Sequence, residues 1–124
     1  MTPNVELLES VMRHIDDHPE QHDQRVWINE CGTAACFAGW ACLLSGRQVG
    51  LSSDSYDNIV ISSDTLTKRP TAIVAMELLG LSWETSLTLF QGDNTREMLH
   101  LMVKDLVNGD ELRGWDEYRD EVAS

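Results

Sequence analysis

Apolar residues return every three or four positions through most of this chain, first at Val5, Leu8, Met12 and Ile15 and again at Leu99, Met102, Val103 and Leu106. That period belongs to amphipathic helices. The first run predicts a helix from Pro3 to His18, with the Thr2 hydroxyl placed to cap it, Pro3 suited to the first turn and Pro19 ending it. The later run predicts a helix opening at Asn94, where Glu97 three residues on completes a capping box, and closing before Gly109. Between them, Thr33 is the predicted N-cap of a helix from Ala34 to Ser45, with Gly46 just past its end. Phe37, Trp40, Ala41, Leu43 and Leu44 leave that helix little solvated face, so it belongs at the centre of the fold. Ala35, Ala38, Gly39 and Cys42 add a small-residue stripe that lets another backbone approach, and Phe37, Gly39 and Trp40 are the expected heart of the core. Pro70 opens a further helix through Leu79, closed by Gly80. Ser82 then caps a short one carrying Trp83, Leu87 and Phe90, which Gly92 stops. Leu112, Trp115, Tyr118 and Val122 predict a last helix, weakened by Gly114.

Two stretches lack this rhythm. Residues Glu20 to Glu30 are polar around Val26-Trp27-Ile28, which fits either a short turn of helix or a buried extended segment. From 47 to 69 the chain is rich in Ser, Asp, Asn and Gly around Ile59-Val60-Ile61, which predicts a long loop with at most a short strand pair. Connections of that length often bind something, which makes Asp54 and Asp57 candidate contact residues; an insertion without a role is the plain alternative. The expected architecture is one domain spanning 1–124, mainly α, a compact bundle of roughly five or six short helices around a central apolar one.

Composition narrows the function more than the fold. The chain of 124 residues can bury a core without staples, and 42% hydrophobic residues with four tryptophans argue against disorder. The net charge of -12, from 21 acidic against 9 basic side chains, opposes attraction to nucleic acid or to an anionic membrane and favours a basic partner. No leader-like start and no apolar run near about eighteen residues is present, so the expected compartment is cytoplasmic. Acidic residues crowd into the helix predicted over 110–123. Asp116, Glu117, Asp120 and Glu121 are therefore candidate partner contacts, against the commoner role of a solvated face.

Chemistry has one place to reside. His14, His18 and His22 are spaced by four, and with Cys31 and Cys36 they supply the donor types of a zinc site. Against it, the cysteines are separated by four residues, His18 precedes a proline, and no Glu sits between the first two histidines in a metalloprotease pattern. Cys36, in the first turn of a predicted helix, is also where a thiolate would be favoured. Its base would have to be His14, His18, His22 or His100, and the surrounding residues form no protease signature. The ordinary reading of such a cysteine is a small buried hydrophobe. No glycine-rich phosphate loop or basic aromatic patch accompanies these residues.

Cys31-Gly-Thr-x-x-Cys36-x-Ala-Gly-Trp40-Ala, followed by Ala75-x-x-Leu-Leu-Gly-Leu81 and Leu89-Phe90, resembles a group of small uncharacterised proteins from actinobacteria and their bacteriophages, over roughly residues 5 to 107. The resemblance implies an intracellular accessory protein, encoded by a phage, that binds and redirects a host protein. It also implies that Cys31 and Cys36 belong together, as a zinc or structural thiol pair. The expected function is a small acidic non-catalytic protein-binding module without a cofactor, acting on a host cytoplasmic protein with a basic surface. The alternative is a structural zinc-binding or cysteine-dependent protein using Cys31 and Cys36 with a nearby His. A homodimer anchored by Trp83, Trp115 or Tyr118 is a further option.

Overall fold

Asn4, rather than Thr2, starts the first helix. Its side-chain oxygen accepts the Leu7 N–H at 3.1 Å, and α1 runs over Val5–Asp17. The protein is described by a computed structural model covering residues 3–25, 34–50, 59–61 and 68–123, so Thr2 lies outside the described residues. Asn4 has a second duty. Its backbone N–H donates to the Leu79 carbonyl at 2.8 Å and its Nδ2 to the Leu78 carbonyl at 3.2 Å, so one residue serves the start of α1 and the open end of α3 (Thr71–Leu79). A single 3-10 turn, Pro19–Gln21, follows α1.

The central apolar helix, α2, is shorter than the predicted 34–45 and spans Phe37–Leu44. The predicted cap, Thr33, lies outside the described residues. Ala35 is taken from the helix by an extended pairing with the segment after α1: its N–H donates to the Gln21 carbonyl at 3.0 Å, and its carbonyl accepts from Asp23 at 3.1 Å. The helix can open only beyond it, and Cys36 becomes the N-cap, its Sγ accepting the Gly39 N–H at 3.4 Å. Phe37, Ala38, Ala41 and Cys42 are fully hidden, Gly39 is buried with them, and the helix packs on α3 and α1. Trp40 departs from the expectation. It is half-buried at the rim, where its indole Nε1 donates to the Gln21 carbonyl at 2.7 Å.

Among the described residues the long connection contributes three short strands, where a pair at most was expected. β1 (Gln48–Gly50), β2 (Ile59–Ile61) and β3 (Lys68–Pro70) form an antiparallel sheet in that order, with Val49 opposite Val60 and Val60 opposite Arg69. Pro70 closes β3 and opens α3, whose φ-restricted ring suits both positions. At the far end Gly80 takes φ 68°, a left-handed conformation open to glycine at little cost, and the chain turns into α4 (Trp83–Leu89).

Among the described residues α5 (Arg96–Val107) and α6 (Trp115–Ala123) complete a mainly α fold of six compactly packed helices. The predicted cap of α5 moves by one residue: Thr95 accepts the Met98 N–H at 3.2 Å, while Asn94 turns inward. Leu8, Ile15, Phe37, Leu79, Leu99 and Met102 are wholly buried at the centre. Each contributes about 1.5–3 kcal/mol through lost contact with water. Among the described residues no single helix is long and apolar enough to cross a membrane; α3 and α4 have the length together but meet at 108°.

Candidate functional site

The cysteine motif is packing at its described end. Cys36 and Cys42 are free, buried thiols. Burial pushes the Cys36 thiol up to about 11, even though the Gly39 and Ala38 N–H groups favour the thiolate, and it pushes Cys42 up to about 12 with Cys36 as an unfavourable neighbour. Nucleophilic chemistry needs the opposite shift. Cys31 lies outside the described residues. His14 and His18 do meet, with ring centroids 4.9 Å apart, but His14 lies tilted against Trp40 at 4.1 Å and its Nε2 bonds Gln21 Oε1 at 2.9 Å. His18 turns to Glu20, 3.7 Å away, and His22 to Gln24 Oε1 at 2.9 Å. Among the described residues no group of three or more His, Cys, Asp or Glu is placed to hold a metal ion.

The acidic last helix is bound into its own surroundings. Arg119 lies between Asp116 at 3.4 Å and Asp120 at 3.3 Å, Arg113 holds Glu121 at 2.9 Å, and Glu117 accepts the Gly114 N–H at 2.9 Å, capping α6 from inside. Beneath them Tyr118 is fully buried against α5. Its hydroxyl donates to Asp105 Oδ2 at 2.7 Å and accepts the Arg113 N–H at 3.1 Å. Burial first, then the Asp105 bond, raises the phenol's pKa. All four predicted contact carboxylates are thus exposed yet engaged, while Asp54 and Asp57 lie outside the described residues.

A different surface stands open. On α4, Ser86, Leu89 and Phe90 face the core, whereas Trp83 and Leu87, one helical turn apart, are 50% and 54% exposed. They flank a cleft of about 310 Å³ between α4 and the first turn of α3, lined by Ala72, Trp83, Ser86, Leu87, Phe90 and Gln91 and mostly apolar. Of Trp83, Leu87 and Phe90, which the predicted short helix carries, only Phe90 is buried, and all three line the cleft.

Two buried amides hold this short helix in place. Gln24 Nε2 donates to the carbonyls of Leu89 at 3.1 Å and Gln91 at 3.2 Å, and its Oε1 accepts the Phe37 N–H at 3.1 Å. Asn94 Nδ2 donates to Thr88 and Leu89, each at 2.9 Å, and its Oδ1 accepts the Trp115 indole N–H at 2.7 Å. The last carbonyls of α4, which no further turn can satisfy, are thereby paired away from water. Sequence reasoning missed Gln24, a polar residue in a stretch it left unresolved. It misread Asn94 as a cap, the role that Thr95 beside it takes.

Comparisons with protein-family models, with curated proteins and with solved structures find no match. The case for function therefore rests on these residues.

Proposed function

We propose that this chain is a small non-catalytic protein-binding module whose contact surface is the α3–α4 cleft, acting stoichiometrically on a host cytoplasmic protein with a basic surface. The observation that carries the reading is the exposed Trp83–Leu87 pair over an apolar cleft, on a helix whose other face is locked by Gln24 and Asn94. Large apolar groups turned out from a fixed scaffold supply the anchors that dominate protein interfaces. The net charge of -12 adds long-range attraction for basic partners. The motif resemblance supports a phage-encoded accessory role. Affinity capture from host lysate tests this with three proteins: the unaltered chain, Leu87→Asp, and a variant with Asp116, Glu117, Asp120 and Glu121 replaced by Ser. The reading expects a stoichiometric partner that Leu87→Asp loses and the quadruple variant keeps. Equal recovery of every protein by all three overturns it.

A further inference from the structure

Resting on that reading, we infer that the α3–α4 cleft takes an amphipathic helix with an apolar edge and basic flanks, its apolar side chains seated between Trp83, Leu87 and Phe90. The cleft is the size of one or two large side chains, at the low end of about 300 Å³ for ligand sites, and it is lined chiefly by apolar atoms with Gln91 at its edge. A volume of that kind suits the i and i+3 or i+4 anchors of a docked helix better than a small polar ligand.

Charge selects among apolar occupants. From Thr71 to Thr95 the chain carries Glu77, Glu84 and Asp93 and no Lys or Arg, and Glu84 and Asp93 are exposed beside the cleft-lining segment. Arg25, whose backbone lies against Gly92, is turned to Asp23 at 3.3 Å. An incoming helix with Lys or Arg beside its apolar edge meets a field of opposite sign. A second copy of this chain brings another -12, and an anionic membrane meets the same repulsion. Both lose where a basic helix gains.

The probe is a fluorescein-labelled peptide of about 16 residues with Leu at i, i+3, i+4 and i+7 spacing and Lys elsewhere, titrated with the full chain. Two controls keep one feature each: Leu replaced by Ser, and Lys replaced by Glu. The Leu/Lys peptide is expected to bind at least about tenfold more tightly than either control, and more weakly at about 300 mM than at about 50 mM salt. Leu87→Asp and Trp83→Ala are expected to weaken it at least about tenfold while the chain stays folded with a cooperative melt, because both side chains are half exposed. Equal binding of the Leu-to-Ser peptide, or indifference to both variants, overturns the inference. So does a Leu87-dependent dimer of the unaltered chain in sedimentation, which would make a second copy the occupant. If host capture depends on Leu87 while the Leu/Lys peptide does not bind, this inference fails and the binding-module reading survives. Capture indifferent to Leu87 is the separate failure of that reading.

Discussion

α4 and α6 are both short helices, and both hang on Asn94, which donates to the last carbonyls of one and accepts the Trp115 indole of the other. They spend their outward faces in opposite ways. α6 carries the carboxylates and occupies them, with Arg113, Arg119 and the Gly114 N–H. α4 carries Trp83 and Leu87 and leaves them open. Exposed charge and available contact are thus separate properties. Carboxylates paired at the surface still contribute to the long-range field, since such pairs are worth only about 0–1 kcal/mol, but a partner gains little by replacing their arginines. In the proposed function the acidic helix attracts a partner and the apolar one grips it.

Because Asn94 joins the two helices, its removal is expected to have the largest effect on both. Asn94→Ala leaves the Trp115 indole N–H and the Thr88 carbonyl without their buried partner, a cost of about 3 kcal/mol and about 10 °C in melting temperature. Hydrogen exchange should quicken in α4 and α6 together. Gln24→Ala, which frees the α4 end, the Phe37 N–H and the His22 ring but nothing on α6, should cost about 2 kcal/mol and leave α6 protection as it was. Exchange in α6 that quickens equally in both variants would show that the two helices are not separately anchored.

An alkaline titration separates the same two regions by their acids. Cys36 sits at the start of α2, one residue before the N–H that Gln24 accepts, and Tyr118 in α6 against α5. Both have a pKa raised in the folded state, so each holds its proton more tightly there than when unfolded. Their stabilisation is complete below about 9 for the thiol and about 10 for the phenol, and it is lost as pH rises through the folded values, about 11 for Cys36. Denaturant unfolding of the unaltered chain should show a fall of about 2–3 kcal/mol from Cys36 between pH 9 and 11. In Cys36→Ala that part of the slope should vanish, leaving the falls from Cys42, whose thiol is pushed up to about 12, and from Tyr118. Alkylation of Cys36 in the native protein at pH 8, read by peptide mapping, would contradict its burial.

Much of this contrast was legible in the sequence, and its gaps have physical causes. The 3.6-residue period placed α1 and α5 within a few residues, because each buries one stripe against neighbours, and Pro70 and Gly80 marked the ends of α3, whereas α6 opens at Trp115 rather than at 110. The start of α2 was misplaced because Ala35 is claimed by a non-local pairing with Gln21 and Asp23, which no local cap preference reports. The two amides were illegible for the same reason. Gln24 reaches residues more than sixty positions away, and its type is that of any solvated loop residue. The acidic face was read correctly as exposed, but its pairing depends on Arg113 and Arg119 side-chain directions that composition does not specify. In α4 the apolar residues outnumber what one face can bury, and sequence could not say whether Phe90 or Leu87 would be left out.

A smaller effect isolates the anchor of α6. Tyr118→Phe keeps the buried ring and removes the hydroxyl that serves Asp105 and the Arg113 N–H, costing about 1–2 kcal/mol. Asp105 retains Arg113 at 3.5 Å, so the loss stays local. Exchange should quicken over 115–123 while peptide binding at Trp83 and Leu87 is unchanged. Weakened binding in this variant would mean that α6 shapes the cleft.

The smallest effect is expected from the charges that look most prominent. Asp116→Asn with Asp120→Asn removes both partners of Arg119, yet all three side chains are more than half exposed, and surface pairs of this kind contribute under about 1 kcal/mol. Stability should change by less than about 0.5 kcal/mol, and affinity for the Leu/Lys peptide by less than about threefold, through a weaker field alone. Leu87→Asp adds a negative charge, which by itself favours a basic peptide, and is still expected to bind far more weakly because it places a charge in the apolar cleft. The two variants therefore move charge and contact in opposite directions. A double Asn variant that weakens binding more than Leu87→Asp would make α6 the gripping surface and reverse the roles of the two helices.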